Sequence, residues 1–235
     1  HYQPQVDSAG TLIGAEALLR WACPKRGTVS PAEFISVLEE TGLILPVGAW
    51  SIQKACEQLV HWALNPRFES LTISVNVSAY QVHQADFVNQ VIEVLDRTGA
   101  NPRRLGLELT ESLLLHDVDD SIKKMEALRR KGVTFALDDF GTGYSSLSIL
   151  KRLPLDQLKV DRSFVQEVPK NVSSCTIVQA IIGIATSLGL GIIAEGVEAE
   201  RQLAFLKDNG CHAFQGFLHS QPLSIEDFFN YVEAA

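Results

Sequence analysis

From residue 71 onward, a short apolar segment of strand character is followed by a segment of helical character, and this happens six times in succession. "LTISVNV" precedes "DFVNQVIEVLDRTG", "RLGLELT" precedes "DSIKKMEALRRKG", and "VTFALDD" precedes "YSSLSILKRL". "LDQLKV" then precedes a long helix through Leu188, "LGIIAE" precedes "AERQLAFLKDNG", and "HAFQG" precedes a last helix from about Ser224. Parallel strands need a crossover between them, which a helix supplies, so this alternation predicts a parallel sheet covered by helices.

The first seventy residues read differently. "HYQPQVD" and "TLIGAEALLRW" are separated only by Ser8-Ala9-Gly10, too short for a crossover and suited to an antiparallel hairpin. Two helices follow, one from Pro31 and one from about Pro46 to Leu64, each with apolar residues at three- and four-residue spacing. The hairpin and the six units make about eight strands. That count favours a closed (β/α) barrel with one irregular strand over an open doubly wound sheet, and 235 residues suit one such domain spanning 1–235. The opening His1-Tyr2-Gln3-Pro4 goes directly into strand-like sequence, as expected of a domain excised from a longer protein.

A net charge of -8 argues against a nucleic-acid polymer or an anionic lipid surface as partner. An anionic substrate would need local cations. Cys23, Cys56, Cys175 and Cys211 are widely spaced, without Cys-x-x-Cys pairs, so a reducing, cytoplasmic setting is expected. The uncharged run from Ile177 to Ala194 contains Gln179, Thr186, Ser187 and the "LGLG" break, which predicts a buried helix and a strand rather than a membrane span.

Strand side chains alternate faces, and here the two faces differ in kind. Ile73, Val75 and Val77 oppose Ser74 and Asn76, while Leu105, Leu107 and Leu109 oppose Gly106, Glu108 and Thr110. Val133, Phe135 and Leu137 oppose Thr134, Ala136 and Asp138, and Leu158 and Val160 oppose Gln157, Lys159 and Asp161. One face is apolar; the other becomes polar towards the strand's C-terminal end, where such barrels place their active sites. Glu16, Asn76, Glu108, Asp138, Asp139, Lys159, Glu195 and Gln215 are therefore expected to converge at one mouth.

Two carboxylates about 4 Å apart repel by roughly 4 kcal/mol at an effective dielectric near 20, so several together require neutralisation. Proton sharing would do this, and so would divalent cations. An all-oxygen donor set of Asp, Glu and Asn suits Mg²⁺ or Mn²⁺, and no His or Cys cluster indicates zinc. The adjacent Asp138 and Asp139 could serve two ions, an arrangement that stabilises the attacking and leaving oxygens of phosphoryl displacement and points to a phosphate ester.

These residues resemble the EAL-domain family of bacterial cyclic di-GMP phosphodiesterases. The name-giving Glu16-Ala17-Leu18 lies in "GAEALLRW". It is followed, in the family's order, by "SVNVS", "ELTES", "DDFGTGYSSL", "LKVDRSFV", "AEGVE" and "FQGF", so the resemblance spans essentially the whole chain. It implies a TIM-like (β/α)8 barrel with an antiparallel first strand, and hydrolysis of cyclic di-GMP to linear pGpG. By carry-over, Glu16, Asn76, Glu108 and Asp138 are ligands of one cation, with Asp138 bridging to a second that Asp139 also binds. Glu195 is a further metal-binding or water-orienting carboxylate, and Lys159 holds the water or stabilises charge on the phosphate. Arg20, which shares parity with Glu16, is a phosphate contact and Gln3 a substrate contact near the first strand; Asp161 and Gln215 are substrate or supporting contacts.

Glu111 and Glu198 are supports, and Gly141 and Gly143 are hinges of the loop after Asp139, which in the family leads into a homodimer contact. The resemblance further implies an upstream sensor or other signalling domain in the full-length chain, with anchoring to the inner membrane as one arrangement. A non-catalytic cyclic di-GMP receptor and a regulatory dimerisation module are the alternatives. "GFLHSQPLS" departs from the family pattern at His219 and Gln221, on the rim.

Overall fold

The computed structural model describes residues 1–115, 117–141 and 147–234. Its first turn forms because Asp7 uses Oδ1 to accept the amides of Ala9 and Thr11, each at 2.8 Å, while Gly10 takes φ 83°. This reverses the chain between β1 (Tyr2–Asp7) and β2 (Leu12–Ala17), which pair antiparallel as the hairpin sequence predicts. A small antiparallel ribbon follows, β3 (Trp21–Cys23) with β4 (Gly27–Val29), standing apart from the main sheet.

The remaining strands are β5 (Thr72–Val77), β6 (Leu105–Thr110), β7 (Thr134–Phe140), β8 (Gln157–Val160), β9 (Gly191–Ala194) and β10 (Ala213–Gln215). Eight strands close a barrel in the order β1-β10-β9-β8-β7-β6-β5-β2. Within the barrel, β2 and β5 through β10 pair parallel throughout, and β1 runs antiparallel to both of its neighbours. The expected (β/α)8 barrel with an antiparallel first strand is therefore present.

The apolar strand faces pack outward under the helices. Ile73, Val75, Val77, Leu105, Leu107, Leu109, Phe135, Leu137, Leu158 and Val160 are all buried there. The irregular β1 is fixed by an aromatic cluster in which Trp62 stacks on Phe228 at 5.2 Å and Tyr2 lies 5.9 Å from Trp62 and 6.0 Å from Phe228. Those three rings belong to β1, the helix Ile44–Trp62 and the terminal helix Ile225–Ala234. Among the described residues, no helix is long and apolar enough to cross a membrane.

Several boundaries differ from the sequence expectation, among them that the single helix read after "LDQLKV" is two, Arg162–Val165 and Val172–Leu188. The helix placed from Pro46 begins at Ile44, because proline is tolerated in a first turn whose amides lack helical partners anyway. The strand read through "TLIGAEALLRW" stops at Ala17, and Trp21 belongs to the separate ribbon. Arg20 thus lies beyond β2, so strand parity does not relate it to Glu16. Three-residue strands carry too little alternation to separate from their flanks.

Candidate active site

Parallel register aligns the ends of the strands and gathers their inward residues at the C-terminal mouth. Glu16 faces Ser74 in the β2–β5 ladder, Asn76 faces Glu108 in the next, and Thr110 faces Asp138 in the one after. Lys159 is the penultimate residue of β8, Glu195 directly follows β9, and Gln215 ends β10. All eight residues expected at the mouth lie on these strand ends.

At the centre is Lys159, whose side chain is 0 % exposed. Its Nζ donates to Glu108 Oε2 and to Asp138 Oδ2 (3.2 Å), and lies 2.5 Å from Glu195 Oε1 and 3.5 Å from Glu16 Oε2. The Glu195 contact has the distance of an ion pair but lacks hydrogen-bond alignment. One ammonium thus serves four carboxylates. Burial pushes Glu108 well above the usual carboxylate range, reinforced by the charge of Glu16, and pushes Glu195 up to about 8. Burial also acts to raise Glu16, but the charge of Lys159 and the amides of Gln215 and Asn76 outweigh it and hold this carboxyl below its ordinary value.

Glu16 is held from both sides. Asn76 Nδ2 donates to its Oε1 at 2.5 Å, and Gln215 Nε2 donates to its Oε2 at 2.5 Å. Gln215 also donates to Gln3 Oε1 at 3.0 Å and accepts from Gln5 Nε2 at 2.9 Å, so an amide chain from β1 and β10 orients the carboxylate. Sequence reasoning missed Gln5. Parity with Gln3 along β1, and its register opposite Gln215, are the signals that identify it.

Adjacent residues on a regular strand point to opposite faces, so Asp138 and Asp139 require a departure from regularity. The structure supplies one. The β7–β8 register shifts between Leu137 and Phe140, and Asp139 takes φ 55°, a left-handed conformation that Asp tolerates better than most residues. The bulge is pinned by the Asp139 amide, which donates to Asp138 Oδ1 at 2.9 Å. Burial and the nearby charges of Asp138 and Asp161 push Asp139 up to about 6.

The supporting residues divide. Glu111 Oε1 accepts the Gly141 amide at 2.8 Å, tying the segment after β6 to the turn after Asp139. Gly141 has φ 98°, where a side chain would be strained. Gly143, the second expected hinge, lies outside the described residues. Asp161 caps the short helix Arg162–Val165, accepting the Ser163 amide at 3.0 Å. Glu198 is exposed, and its carboxylate makes no hydrogen bond or ion pair among the described residues. Arg20 is partly buried and donates to Leu19 O at 2.7 Å.

The donor set fits a divalent cation. Glu16, Glu108 and Asp138 each present an oxygen within 4.8 Å of the others. Glu108 Oε1 is buried without a hydrogen-bond partner among the described residues, as a ligand atom directed at a metal would be. Cavities open on both sides of the cluster. One, of about 200 Å³, is lined by Gln3, Glu16, Arg162, Glu195, Gln215 and Phe217; the other, of about 270 Å³, reaches Arg20, Asn76 and Thr110.

The EAL domain family model matches residues 1–222. The chain belongs to the EAL-domain family. Relatives of this EAL domain include the bifunctional diguanylate cyclase/cyclic di-GMP phosphodiesterase MucR of Pseudomonas aeruginosa, 44% identical over 233 residues that are 99% of this chain and 34% of MucR. The cyclic di-GMP phosphodiesterase NbdA of the same organism is 42% identical over 237 residues, 100% of this chain and 30% of NbdA. PdeR of Escherichia coli, also named a cyclic di-GMP phosphodiesterase, is 39% identical over 223 residues, 95% of this chain and 33% of PdeR. The EAL domain thus spans about a third of the length of these relatives. Among solved structures, the PaMucR phosphodiesterase in complex with c-di-GMP superposes with a TM-score of 0.93 at 43% identity, covering 97% of this chain and 92% of that one. The EAL enzyme Bd1971, with cAMP and cyclic di-GMP bound, gives 0.94 at 32% identity, covering 98% and 63%.

Proposed function

We propose that this EAL domain is a metal-dependent phosphodiesterase that hydrolyses one phosphodiester bond of cyclic di-GMP to give linear pGpG. The observation that carries the reading is the enclosed cluster of Glu16, Glu108, Asp138, Glu195 and Lys159, four carboxylates around one ammonium, which divalent cations would allow to remain fully ionised. The similarity to PaMucR in its c-di-GMP complex supports the choice of substrate. In this reading Glu16, Asn76, Glu108 and Asp138 hold one ion, and Asp138, Asp139 and Glu195 hold another, each Mg²⁺ or Mn²⁺. Such ions, when bound, supply charge neutralisation at the phosphate and a water more acidic than bulk water.

The chain's own groups do the rest. Gln3, Gln5 and Gln215 fix the rotamer of Glu16. Lys159 stays protonated, because the surrounding acids outweigh the burial that would lower its pKa, and it presents a fixed cation to the phosphate. Glu195, at the edge of the cavity, orients the water. Arg20 and Asp161 contact substrate, with Glu111, Gly141, Gly143 and Glu198 as supports. Water adds to phosphorus, the P–O3′ bond breaks, and the leaving oxygen takes a proton to become the 3′-hydroxyl of pGpG.

Chromatographic analysis of cyclic di-GMP incubated with Mg²⁺, Mn²⁺ or chelator tests this. The expected result is pGpG with either ion, none with chelator, and none from Glu16→Ala. Tight binding of cyclic di-GMP without turnover in either ion would instead make the domain a receptor.

The same reading includes a homodimer, coupled to the site through the loop after Asp139, and further signalling domains in the full-length protein. Support comes from the exposed Leu147, the first described residue after that loop, and from the length of the relatives. Sedimentation of the wild type and of Leu147→Asp tests it. A monomeric variant with full activity would refute the coupling.

A further inference from the structure

Arg162 lies two residues beyond the end of β8, after Lys159 on the strand and the capping Asp161, and opens the short helix Arg162–Val165. It is exposed and makes no side-chain hydrogen bond or ion pair among the described residues, although it borders the same cavity as Glu16, Glu195 and Glu198. The central acids are already engaged by Lys159, which leaves the guanidinium uncommitted. Its backbone is held from two sides. Asp161 caps the turn through Ser163, and Gly196, at φ 66°, approaches so closely that an added Cβ would lie 2.6 Å from Arg162 Cβ and 3.3 Å from its Cα. The glycine in "AEGVE" therefore sets where this arginine stands on the cavity wall.

Arg20 borders the cavity on the Asn76 side of the cluster, and Arg162 borders the one on the Glu195 side. Lys159, fully buried and surrounded by carboxylates, can serve only a phosphate seated at the cluster itself. A cyclic dinucleotide carries a second phosphodiester that is not cleaved and that also needs a counter-charge on a protein of net charge -8. We propose that Arg162 binds this second, unreacting phosphate, so that the site selects a ring with two phosphodiesters over a single ester. The assignment rests on the phosphodiesterase reading above.

Steady-state hydrolysis of cyclic di-GMP by the wild type, Arg162→Ala and Arg162→Lys tests it. Loss of a charge-assisted contact made equally in ground and transition states should raise KM about ten- to a hundredfold in Arg162→Ala with kcat little changed. Arg162→Lys should recover part of that loss. An unchanged KM in Arg162→Ala, or a fall in kcat alone, would overturn the assignment; thermal melting checks folding, and if the alanine variant does not fold, Arg162→Gln against Arg162→Lys decides by the same KM criterion. A wild-type domain that cleaves bis(p-nitrophenyl) phosphate but not cyclic di-GMP would overturn the substrate reading itself. Normal cyclic di-GMP turnover with an unchanged KM in the variant would overturn only the role of Arg162.

Discussion

Gln215 Nε2 donates to Glu16 Oε2 at 2.5 Å, joining side chains 199 residues apart in sequence. The same amide donates to Gln3 and accepts from Gln5, so one side chain bridges β10, β1 and β2 where the antiparallel strand closes the barrel. Gln215→Leu keeps the volume but removes both functions. It should cost about 1–3 kcal/mol of stability, since three buried groups lose a partner, and should lower turnover by freeing Glu16. Urea unfolding and initial rates measure the two effects separately.

In the metal-free protein, pH should act mainly through acids whose pKa values folding raises. Burial, opposed by Lys159 and reinforced by Asp138 and Glu16, pushes Glu195 up to about 8, and Asp139 is pushed up to about 6. A raised pKa means that the folded state favours the protonated form. The associated stability is present below the unfolded-state values, near 4.5 and 3.8, and is lost as pH rises through about 8 and about 6. Glu16 is shifted the other way and contributes in the opposite sense, towards acid. The melting temperature of chelator-treated protein should therefore fall between about pH 5 and about pH 8.5, and excess Mg²⁺ or Mn²⁺ should flatten that slope by replacing protons as counter-charge. A rising melting temperature without metal would contradict this balance.

Glu111 holds the Gly141 amide next to the Asp138–Asp139 bulge. Glu111→Ala removes a charged acceptor from that turn, and activity should fall about tenfold or more while the melting temperature moves by only a few degrees. Glu111→Gln, which retains an acceptor oxygen, should fall between the two. Comparing kcat with melting curves for the pair checks this.

Gly196→Ala places a methyl group against Arg162 Cβ, at a residue with a left-handed φ of 66°. Strain and overlap together should cost about 1–3 kcal/mol. If Arg162 has the role assigned above, KM for cyclic di-GMP should rise as well. Denaturant midpoints and KM are the two measurements.

Burial pushes the Cys56 and Cys211 thiols up to about 12, while Cys23 and Cys175 are only partly buried. A water-soluble disulfide reagent should label the latter pair under native conditions and all four cysteines only after unfolding. Mass spectrometry of the labelled peptides reads this directly.

The sequence by itself determined the βα alternation, the antiparallel opening pair and the division of each strand into apolar and polar faces. All three follow from short-range periodicity and turn length, which neighbouring residues encode. Glu16, Asn76, Glu108, Asp138, Lys159 and Gln215 were legible as a group for that reason. Only the tertiary structure decided that Arg20 lies beyond β2, that the strand carrying Asp138 and Asp139 is irregular after Leu137, and that Lys159 lies among four acids. It also placed Gln5 on Gln215 and Arg162 beside Gly196. These relations depend on barrel closure and inter-strand register, which bring distant residues to within a few ångströms, and no local period along the chain records how far apart the ends of different strands will lie.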